Sequence, residues 1–218
     1  MAYGEGLRKL NPLGDEQIVT ALRESVPGAN SLLDLACGRG DRLRTLADAL
    51  PALRLCGIDA DAENAALAAE NCPSAEIRCC GAEKIPYADA AFDAVLCECS
   101  FSLFAAPEKC AAEIARVLRP DGVLLLGDLY AKRDALAAEK IADNDTVKTV
   151  YGREALEDIF RAAGFSADGF TDCSGELTQM LGQMLMDGVL CDCLGTEALL
   201  QMKKLGTGYG LWLFRNKT

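Results

Sequence analysis

Residues Leu32–Gly40 read LLDLACGRG, a short apolar run that ends in a glycine-rich turn. A helix-like pattern follows this turn, and a second apolar run then ends in Gly57-Ile58-Asp59, its acid nineteen positions after Gly40. Two such runs joined by a helix predict parallel strands whose carboxyl ends form a crevice for a nucleoside. The glycines let the backbone approach a ligand closely, and the terminal acid can accept hydrogen bonds from ribose hydroxyls.

The residues around the turn indicate which kind of nucleoside the crevice accepts. A dinucleotide-binding fingerprint requires a third glycine, and Leu43 stands at that position. Asp34 precedes the turn and Asp41 follows its second glycine directly. Acids beside the loop disfavour a pyrophosphate and suit a ligand that carries an ammonium or sulfonium group. The turn therefore disfavours a nicotinamide-dependent oxidoreductase.

Composition limits the partners that the chain can have. Its 218 residues suffice for one domain with a substantial core, and half of them are apolar. The net charge of −11 disfavours nucleic acid and anionic membranes, and no apolar stretch is long enough to span a bilayer. We therefore expect a small-molecule substrate, no nucleic acid and no membrane as partner, while the sequence leaves the oligomeric state open.

The residue types also limit the chemistry. The chain has no histidine, which excludes a histidine base, a Ser-His-Asp triad and a His-ligated metal. Its eleven cysteines are an odd number, and its N-terminus lacks the apolar core of a signal peptide. We therefore expect a cytoplasmic protein. In the cytoplasm a disulfide framework is disfavoured.

Apolar runs that alternate with helical patterns predict the fold class. The fold is expected to be α/β, a doubly wound, Rossmann-like, mostly parallel sheet of seven strands, with helices on both faces and a helical cap. Asp15 is the expected N-cap of the first helix. Within one domain, 1–218, we expect an N-terminal arm or lid at 1–14. Residues 130–150, expected to be an irregular and mobile insertion, and 174–205 are the expected substrate-cap segments.

Three further segments occur in a characteristic order after the first two. They are Gly81–Tyr87, Phe92–Glu98 and Val117–Leu125. Together with the glycine turn and Asp59, they resemble the class I S-adenosylmethionine-dependent methyltransferases of small-molecule type, such as the quinone and arsenite methyltransferases. The resemblance covers residues 15–130 well and the remainder loosely. It implies S-adenosylmethionine as the cofactor and methyl transfer to a small-molecule acceptor by in-line displacement.

The resemblance also assigns the cofactor-binding residues. They lie in four places: around the glycine turn, at the acid expected to bind the ribose, in the turn expected to bind the adenine, and at the end of the fourth strand. In this order they are Asp34, Ala36, Gly38 and Gly40; Asp59 and Ala60; Gly81, Ala82 and Glu83; and Glu98. Many relatives carry an acid for the exocyclic amine of adenine where this chain has Gly81. Either Glu83 substitutes for that acid, or backbone groups around Ala82 hold the adenine alone.

Methyl transfer requires a base only when the acceptor atom must lose a proton. Without histidine, the candidates are Glu98 first, then Asp128 at the end of the fifth strand, and Tyr130. Two alternatives stay open. A non-catalytic cofactor-binding module would explain the missing adenine acid and the lack of an obvious base. A thiol- or metalloid-specific (arsenite-type) methyltransferase would use clustered cysteines, for which the candidates are Cys97, Cys99, Cys173, Cys191 and Cys193. Packed or incidental thiols explain these cysteines better, and no metal site is predicted.

Overall fold

A nine-stranded sheet forms the centre of the computed structural model, which describes residues 11–133, 138–143, 146–188 and 196–218. The strands are β1 (Ser31–Leu35), β2 (Arg54–Asp59), β3 (Glu76–Cys79), β4 (Phe92–Glu98), β5 (Leu118–Ala131), β6 (Ala138–Asp143), β7 (Thr146–Gly152), β8 (Phe165–Asp172) and β9 (Thr207–Asn216). The α-helices are α1 (Asp15–Ser25), α2 (Asp41–Ala49), α3 (Ala62–Asn71), α4 (Pro107–Val117), α5 (Arg153–Ala162), α6 (Ser174–Met186) and α7 (Thr196–Leu205). A 3-10 helix covers Phe101–Leu103.

The strand order confirms the predicted doubly wound architecture. Seven strands run in the order β3-β2-β1-β4-β5-β9-β8. The first five are parallel to one another, whereas β9 is antiparallel to both β5 and β8. The order reverses between β1 and β4, and open α/β sheets bind their ligands at such a switch point, beyond the carboxyl ends of the strands.

Helices cover the sheet on both sides, as the apolar strands require. The α4 face carries α4 and α5, with Ile114 and Phe160 among the fully buried side chains. The α2 face carries the other helices, with Ile18, Leu43 and Ala68 fully buried there. Successive residues of a strand point to opposite faces. Leu33 and Leu35 of β1 therefore pack on the α4 face, whereas Leu32, and with it Asp34, belongs to the α2 face.

Local signals explain where two helices begin. The Asp61 carboxylate accepts a hydrogen bond from the backbone N–H of Asn64 at 2.9 Å, so Asp61 is the N-cap of α3. Pro107 occupies the first turn of α4, where a missing backbone N–H costs nothing. Asp15 is not the N-cap of α1, because Gly14 takes that position and Asp15 lies within the first turn.

The region 130–150 differs from its prediction. An irregular insertion was expected, but β6 and β7 form an antiparallel hairpin. The hairpin joins the sheet through Tyr130 and Ala131 at the far end of β5, which pair with Tyr151 and Gly152. This hairpin raises the strand number from the predicted seven to nine. In the part of the chain that the structure describes, no helix is both long and apolar enough to cross a membrane.

Candidate functional site

The turn after β1 is held in a conformation that few residues adopt. Ala36, Gly38 and Gly40 all have positive φ, at 59°, 56° and 80°. The backbone N–H of Cys37 donates to the Ile58 carbonyl at 2.9 Å, which ties the turn to β2. A non-glycine residue with positive φ costs free energy that the surrounding structure must offset, and such residues concentrate at functional sites. Ala36 at this position therefore marks the turn as a candidate site.

The two glycines of the turn meet different surroundings. A Cβ on Gly40 would lie 2.9 Å from the backbone Cα of Ala68, so Gly40 permits the close approach of α2 and α3. A Cβ on Gly38 would meet nothing within 4 Å. Gly40 is therefore required by packing, and Gly38 presents bare backbone to open space, where a ligand can approach it.

The ribose candidate Asp59 lies directly beside Gly38. One oxygen of its carboxylate accepts from the backbone N–H of Gly38 at 2.8 Å, and the other accepts from that of Asp61 at 2.9 Å. Asp59 is buried. Each carboxylate oxygen has two lone pairs, so the Asp59 carboxylate can still accept two further hydrogen bonds. The structure thus brings the predicted acid to the predicted loop, with acceptor capacity left.

Asp34 is a buried carboxylate with no hydrogen-bond donor among the described residues. The residue is 4% exposed at the end of β1. Burial, together with the neighbouring carboxylates of Glu98 and Asp59, raises the pKa of Asp34 well above its usual value, and the Arg42 guanidinium opposes that rise. A buried carboxylate without a donor is costly unless a cation binds beside it. The site around Asp34 is therefore suited to a positively charged ligand.

Glu98 ends β4 on the α2 face, and its carboxylate faces Arg42. The Arg42 guanidinium donates to both Glu98 oxygens, at 2.7 Å from Nε and 3.1 Å from Nη2. The amide of Asn11 donates to Oε1 of Glu98 at 2.7 Å. Burial raises the pKa of Glu98, while Arg42 and Asn11 act against the rise. The predicted catalytic candidate is thus near the loop, with one lone pair of Oε2 still free of described donors.

Arg42 is a site residue that sequence reasoning missed. It lies in the first turn of α2, with a side chain only 10% exposed. An arginine two residues after a glycine turn is normally expected on the solvent side of a helix. No local sequence signal marked it, because its partners Glu98, Leu13 and Asp15 lie far from it along the chain.

The adenine candidates form a turn beside Asp59. The backbone N–H of Cys80 donates to the Asp59 carbonyl at 2.9 Å, and Ala60 is exposed directly after the acid. Ala82 is buried on the α4 face. A Cβ on Gly81 would lie 2.7 Å from Oε2 of Glu83. The Glu83 carboxylate therefore extends back over Gly81, into the space that a side chain at 81 would need.

The other two catalytic candidates project from the opposite face. Asp128 accepts from the backbone N–H and the hydroxyl of Ser102, at 2.8 and 3.0 Å, and so holds the 3-10 helix against β5. Tyr130 packs edge-on against Phe170 and Trp212 on the α4 face. The contacts give both side chains partners away from the turn. Their catalytic roles stay predictions, and only Glu98 lies beside Asp34.

A second missed residue, Tyr209 of β9, lies next to Glu98. The Tyr209 hydroxyl and the Cys99 sulfur are 3.1 Å apart. Tyr209 crosses over Gly127, whose missing side chain leaves room for it, since a Cβ there would lie 2.7 Å from the hydroxyl. Cys99 has a positive φ of 56°. Burial and the nearby Cys99 and Glu98 raise the pKa of Tyr209, so that its hydroxyl remains protonated and can donate.

The candidate cysteines that the structure describes, Cys97, Cys99 and Cys173, do not form one cluster. Cys97 is packed on the α4 face with its sulfur 3.3 Å from the Ser100 hydroxyl, whereas Cys173 is buried on the α2 face. Cys99 is near Tyr209, as described above. Cys191 and Cys193 lie outside the described residues. Within the described ranges, no group of three or more cysteine or acidic side chains could hold a metal ion.

A cavity of about 320 Å³ lies at the opposite end of the sheet. Apolar side chains dominate its lining, among them Leu22, Val26, Leu32, Leu50 and Leu53. Arg23 is the one charged residue there, and it donates to the Ala49 carbonyl at 3.0 Å. The cavity has none of the buried acids that surround the glycine turn, so the candidate site lies at the carboxyl ends of the strands.

Comparison with protein families identifies a domain in this chain. Residues 33–126, from β1 to β5, match the family model described as a methyltransferase domain. An uncharacterized 37.1 kDa protein in transposon TN4556 of Streptomyces fradiae is 38% identical over 106 residues, which are 47% of this chain and 30% of that protein. The demethylmenaquinone methyltransferase of Thermotoga maritima is 29% identical over 114 residues, 52% of this chain and 49% of its own length. The chain thus spans half or less of the curated relatives that it matches.

Solved structures share the fold over nearly the whole chain. A putative sarcosine dimethylglycine methyltransferase from Galdieria sulphuraria has a TM-score of 0.77 at 16% identity, covering 93% of this chain and 85% of its own. The cyclase SpnF has a TM-score of 0.75 at 22% identity, covering 92% and 81%. A third structure is a geranyl diphosphate C-methyltransferase from Streptomyces coelicolor in complex with Mg²⁺, geranyl diphosphate and S-adenosylhomocysteine. Its TM-score is 0.74 at 14% identity, covering 93% of this chain and 77% of its own. At these identities the likeness shows the fold.

Proposed function

Because residues 33–126 form a methyltransferase domain and the chain has the class I methyltransferase fold, we propose that it transfers the methyl group of S-adenosylmethionine to a small-molecule acceptor. The curated relative from Thermotoga maritima is a methyltransferase of a quinone, and a solved neighbour holds S-adenosylhomocysteine with a small substrate. These relatives support both the cofactor and the acceptor class. They leave the acceptor itself open.

The observation that carries the proposal is the unpartnered Asp34 carboxylate. It is buried beside the bare backbone of Gly38 and the ribose candidate Asp59. S-adenosylmethionine offers an ammonium, a sulfonium, a ribose diol and an adenine. A buried acid without a described donor suits the positive charge, an acid with spare lone pairs suits the ribose diol, and an open glycine lets the ligand approach the backbone. The residues of this site therefore fit the cofactor.

Each predicted residue has a part in binding that cofactor. Asp34 balances the ammonium, and Asp59 accepts from the ribose hydroxyls. Gly38 lets the backbone approach the ligand, and Ala36 and Gly40 on either side of it shape the turn. Ala60 follows Asp59 directly and lies at the rim of the site. Ala82 presents its backbone to the adenine ring, and Glu83 accepts from the exocyclic amine in place of an acid at Gly81. The last assignment rests on the carboxylate that extends back over Gly81.

When bound, S-adenosylmethionine supplies a methyl group that leaves its sulfur by in-line displacement. The main task of the chain is then to position the acceptor and exclude water, because the donor is already reactive. Glu98 receives a proton where the acceptor atom carries one. Its burial raises its pKa, which improves a carboxylate as a base near neutral pH. Tyr209, a protonated hydroxyl beside Glu98, donates a hydrogen bond to an acceptor oxygen.

A turnover assay tests the proposal. Purified protein is incubated with S-adenosylmethionine and a panel of quinones, amines, thiols and arsenite, and mass spectrometry detects methylated products and S-adenosylhomocysteine. We expect a methylated product from at least one acceptor class, and less of it from Asp34→Asn at the same, subsaturating cofactor concentration. Tight cofactor binding without any product would favour the non-catalytic module. A product from arsenite alone would favour the metalloid enzyme.

A further inference from the structure

The Arg42 guanidinium is the centre of a buried polar cluster at the edge of the crevice. It donates to both oxygens of Glu98, to the Leu13 carbonyl at 3.1 Å and to the Asp15 carboxylate. Arginine has five donors in a rigid planar fork, which suits such a set of acceptors. The Asp15 carboxylate also accepts from the Thr45 hydroxyl at 3.3 Å. One side chain of α2 thus connects the end of β4 to the segment that precedes α1.

That segment is held at two further points. The Asn11 amide donates to Glu98 at 2.7 Å, and its carbonyl lies 3.7 Å from the Cys99 sulfur. Leu13 is 3% exposed among the side chains of the α2 face. Residues 11–15 are therefore fixed by one apolar side chain and by polar contacts that converge on Arg42 and Glu98.

The placement of these contacts relates the segment to the ligand site. Arg42 follows the glycine turn by two residues, and Glu98 stands where β4 ends beside Asp34. The start of α2, which directly follows the glycine turn, and the end of β4 are the two walls of the crevice. Residues 11–15 contact both walls, so they span the edge of the crevice. Lifting them would remove donors and acceptors from two buried charges, which is costly.

We propose that Arg42 is a positioning residue that holds residues 11–15 across the crevice and thereby slows the release of S-adenosylmethionine. The inference rests on the proposed function for its ligand and goes beyond it in assigning a retention device. Arg42 acts through Glu98 and through the segment, without touching the cofactor. Contacts that favour the closed position of residues 11–15 then also favour the cofactor-bound state, so weakening these contacts should speed cofactor release.

The dissociation rate of tritiated S-adenosylmethionine, measured by chase with unlabelled cofactor, tests this coupling. Arg42→Met is expected to raise the rate by about tenfold or more, and Arg42→Lys by less, because lysine keeps the charge but cannot bind both Glu98 oxygens. Asn11→Ala, at a partly exposed position, is expected to raise it by about threefold. Arg44→Met is the matched control, since the Arg44 side chain is exposed on the same helix and, among the described residues, pairs only with Asp41. It should leave the rate unchanged.

A double-mutant comparison separates coupling from general loosening. Glu98→Ala removes the oxygen that accepts from the Asn11 amide, so Asn11→Ala should add nothing to the release rate of Glu98→Ala if both act through this one contact. Hydrogen exchange of residues 11–18 is followed in parallel and should be faster in Arg42→Met than in Arg44→Met.

Three results have distinct meanings. Cofactor release at the wild-type rate from folded Arg42→Lys and Asn11→Ala would overturn the inference and leave the proposed function intact. Additive effects of Asn11→Ala and Glu98→Ala would likewise overturn it. Failure of the wild-type protein to bind S-adenosylmethionine would overturn the proposed function, and with it the retention role.

Discussion

The two halves of the sheet present functional groups in different ways. In the half that we propose to bind the cofactor, the cofactor half, built on β1, β2 and β4, each group lies at the carboxyl end of a strand or in the turn that follows it. In the acceptor half, built on β5 and β9, the groups meet only in the folded chain. The Cys99 sulfur and the Tyr209 hydroxyl are 3.1 Å apart although 110 positions separate them. The groups that we propose for binding the donor are therefore visible in the sequence, whereas those that we propose for positioning the acceptor are brought together by tertiary contacts.

The largest expected effect concerns packing in the cofactor half. Gly40→Ala should lower the free energy of unfolding by about 3 kcal/mol, because Gly40 has positive φ and an added Cβ would lie 2.9 Å from the Ala68 Cα. Gly38→Ala should cost only about 1 kcal/mol, since its Cβ would meet open space. Urea denaturation of the two variants measures the difference. Equal stability of both variants would show that the two glycines do not have separate roles.

The next effect concerns charge in the same half. Asp34→Asn should weaken binding of S-adenosylmethionine by about tenfold or more, because the ammonium loses its buried partner. The same variant should unfold at the wild-type temperature or above it, since it removes the cost of an unpaired buried charge. Calorimetric titration and thermal unfolding measure the two quantities. A variant that binds the cofactor as well as the wild type would remove Asp34 from the site.

The raised pKa of Asp34 predicts a dependence on pH. A carboxyl group whose pKa is raised on folding contributes stability at low pH, and this contribution is lost as the pH rises from the unfolded value of 3.8 through the folded one. A bound cation favours the ionised form, so cofactor affinity should increase over the same interval. Glu98, Arg42 and Asp59 face Asp34 and also influence this titration.

Titrations of the wild type and Asp34→Asn across that interval separate these contributions. The wild-type affinity should increase with pH, and the increase should be smaller in the variant, which retains the other three groups. Identical pH profiles would contradict the assignment of the titration to Asp34.

A smaller effect is expected at the adenine turn. Glu83→Ala should weaken cofactor binding by a factor of about three to ten, the loss of one hydrogen bond to a charged acceptor. The double variant Gly81→Asp with Glu83→Ala should recover most of the affinity, because it returns an acid to the position that many relatives use. Matched titrations of the single and double variants measure this exchange. Full affinity in Glu83→Ala alone would mean that backbone groups hold the adenine.

The smallest effect on cofactor binding should come from the acceptor half. Tyr209→Phe removes the hydroxyl near Cys99 and should cost about 1 kcal/mol of stability. Cofactor affinity should stay unchanged, and turnover should fall once an acceptor is known. The free energy of unfolding and the cofactor affinity, measured for Tyr209→Phe and for Asp34→Asn, compare the two halves directly. A loss of cofactor affinity as large as in Asp34→Asn would mean that the acceptor half also binds the cofactor.

The cofactor half was predictable because its signals are local. A glycine turn, an acid at a strand end and a proline in the first turn of a helix each act within a few residues. These features determine β1, β2, the beginning of α4 and the sheet order that follows from them. Asp15 was misjudged because two adjacent positions, Gly14 and Asp15, could both begin α1, and Arg42 draws the acid inward.

The rest of the site depends on distances along the chain that a pattern does not contain. Arg42 looked like a surface residue until the segment before α1 and the end of β4 came together around it. The hairpin was missed because the region reads as polar overall, although Thr146, Val147, Thr149 and Val150 are β-branched residues typical of a strand. Tyr209 had no local signal, since the gap over Gly127 that admits it exists only after β5 and β9 pair.

Calorimetric titration of the purified chain with S-adenosylmethionine, and separately with NAD, tests the central claim most directly. The unpartnered acid, the open glycine and the ribose acid predict saturable one-to-one binding of S-adenosylmethionine. The same features predict that S-adenosylmethionine binds the Asp34→Asn variant more weakly and that NAD does not bind. A wild-type protein that binds NAD, or that shows no heat with S-adenosylmethionine, would contradict the account.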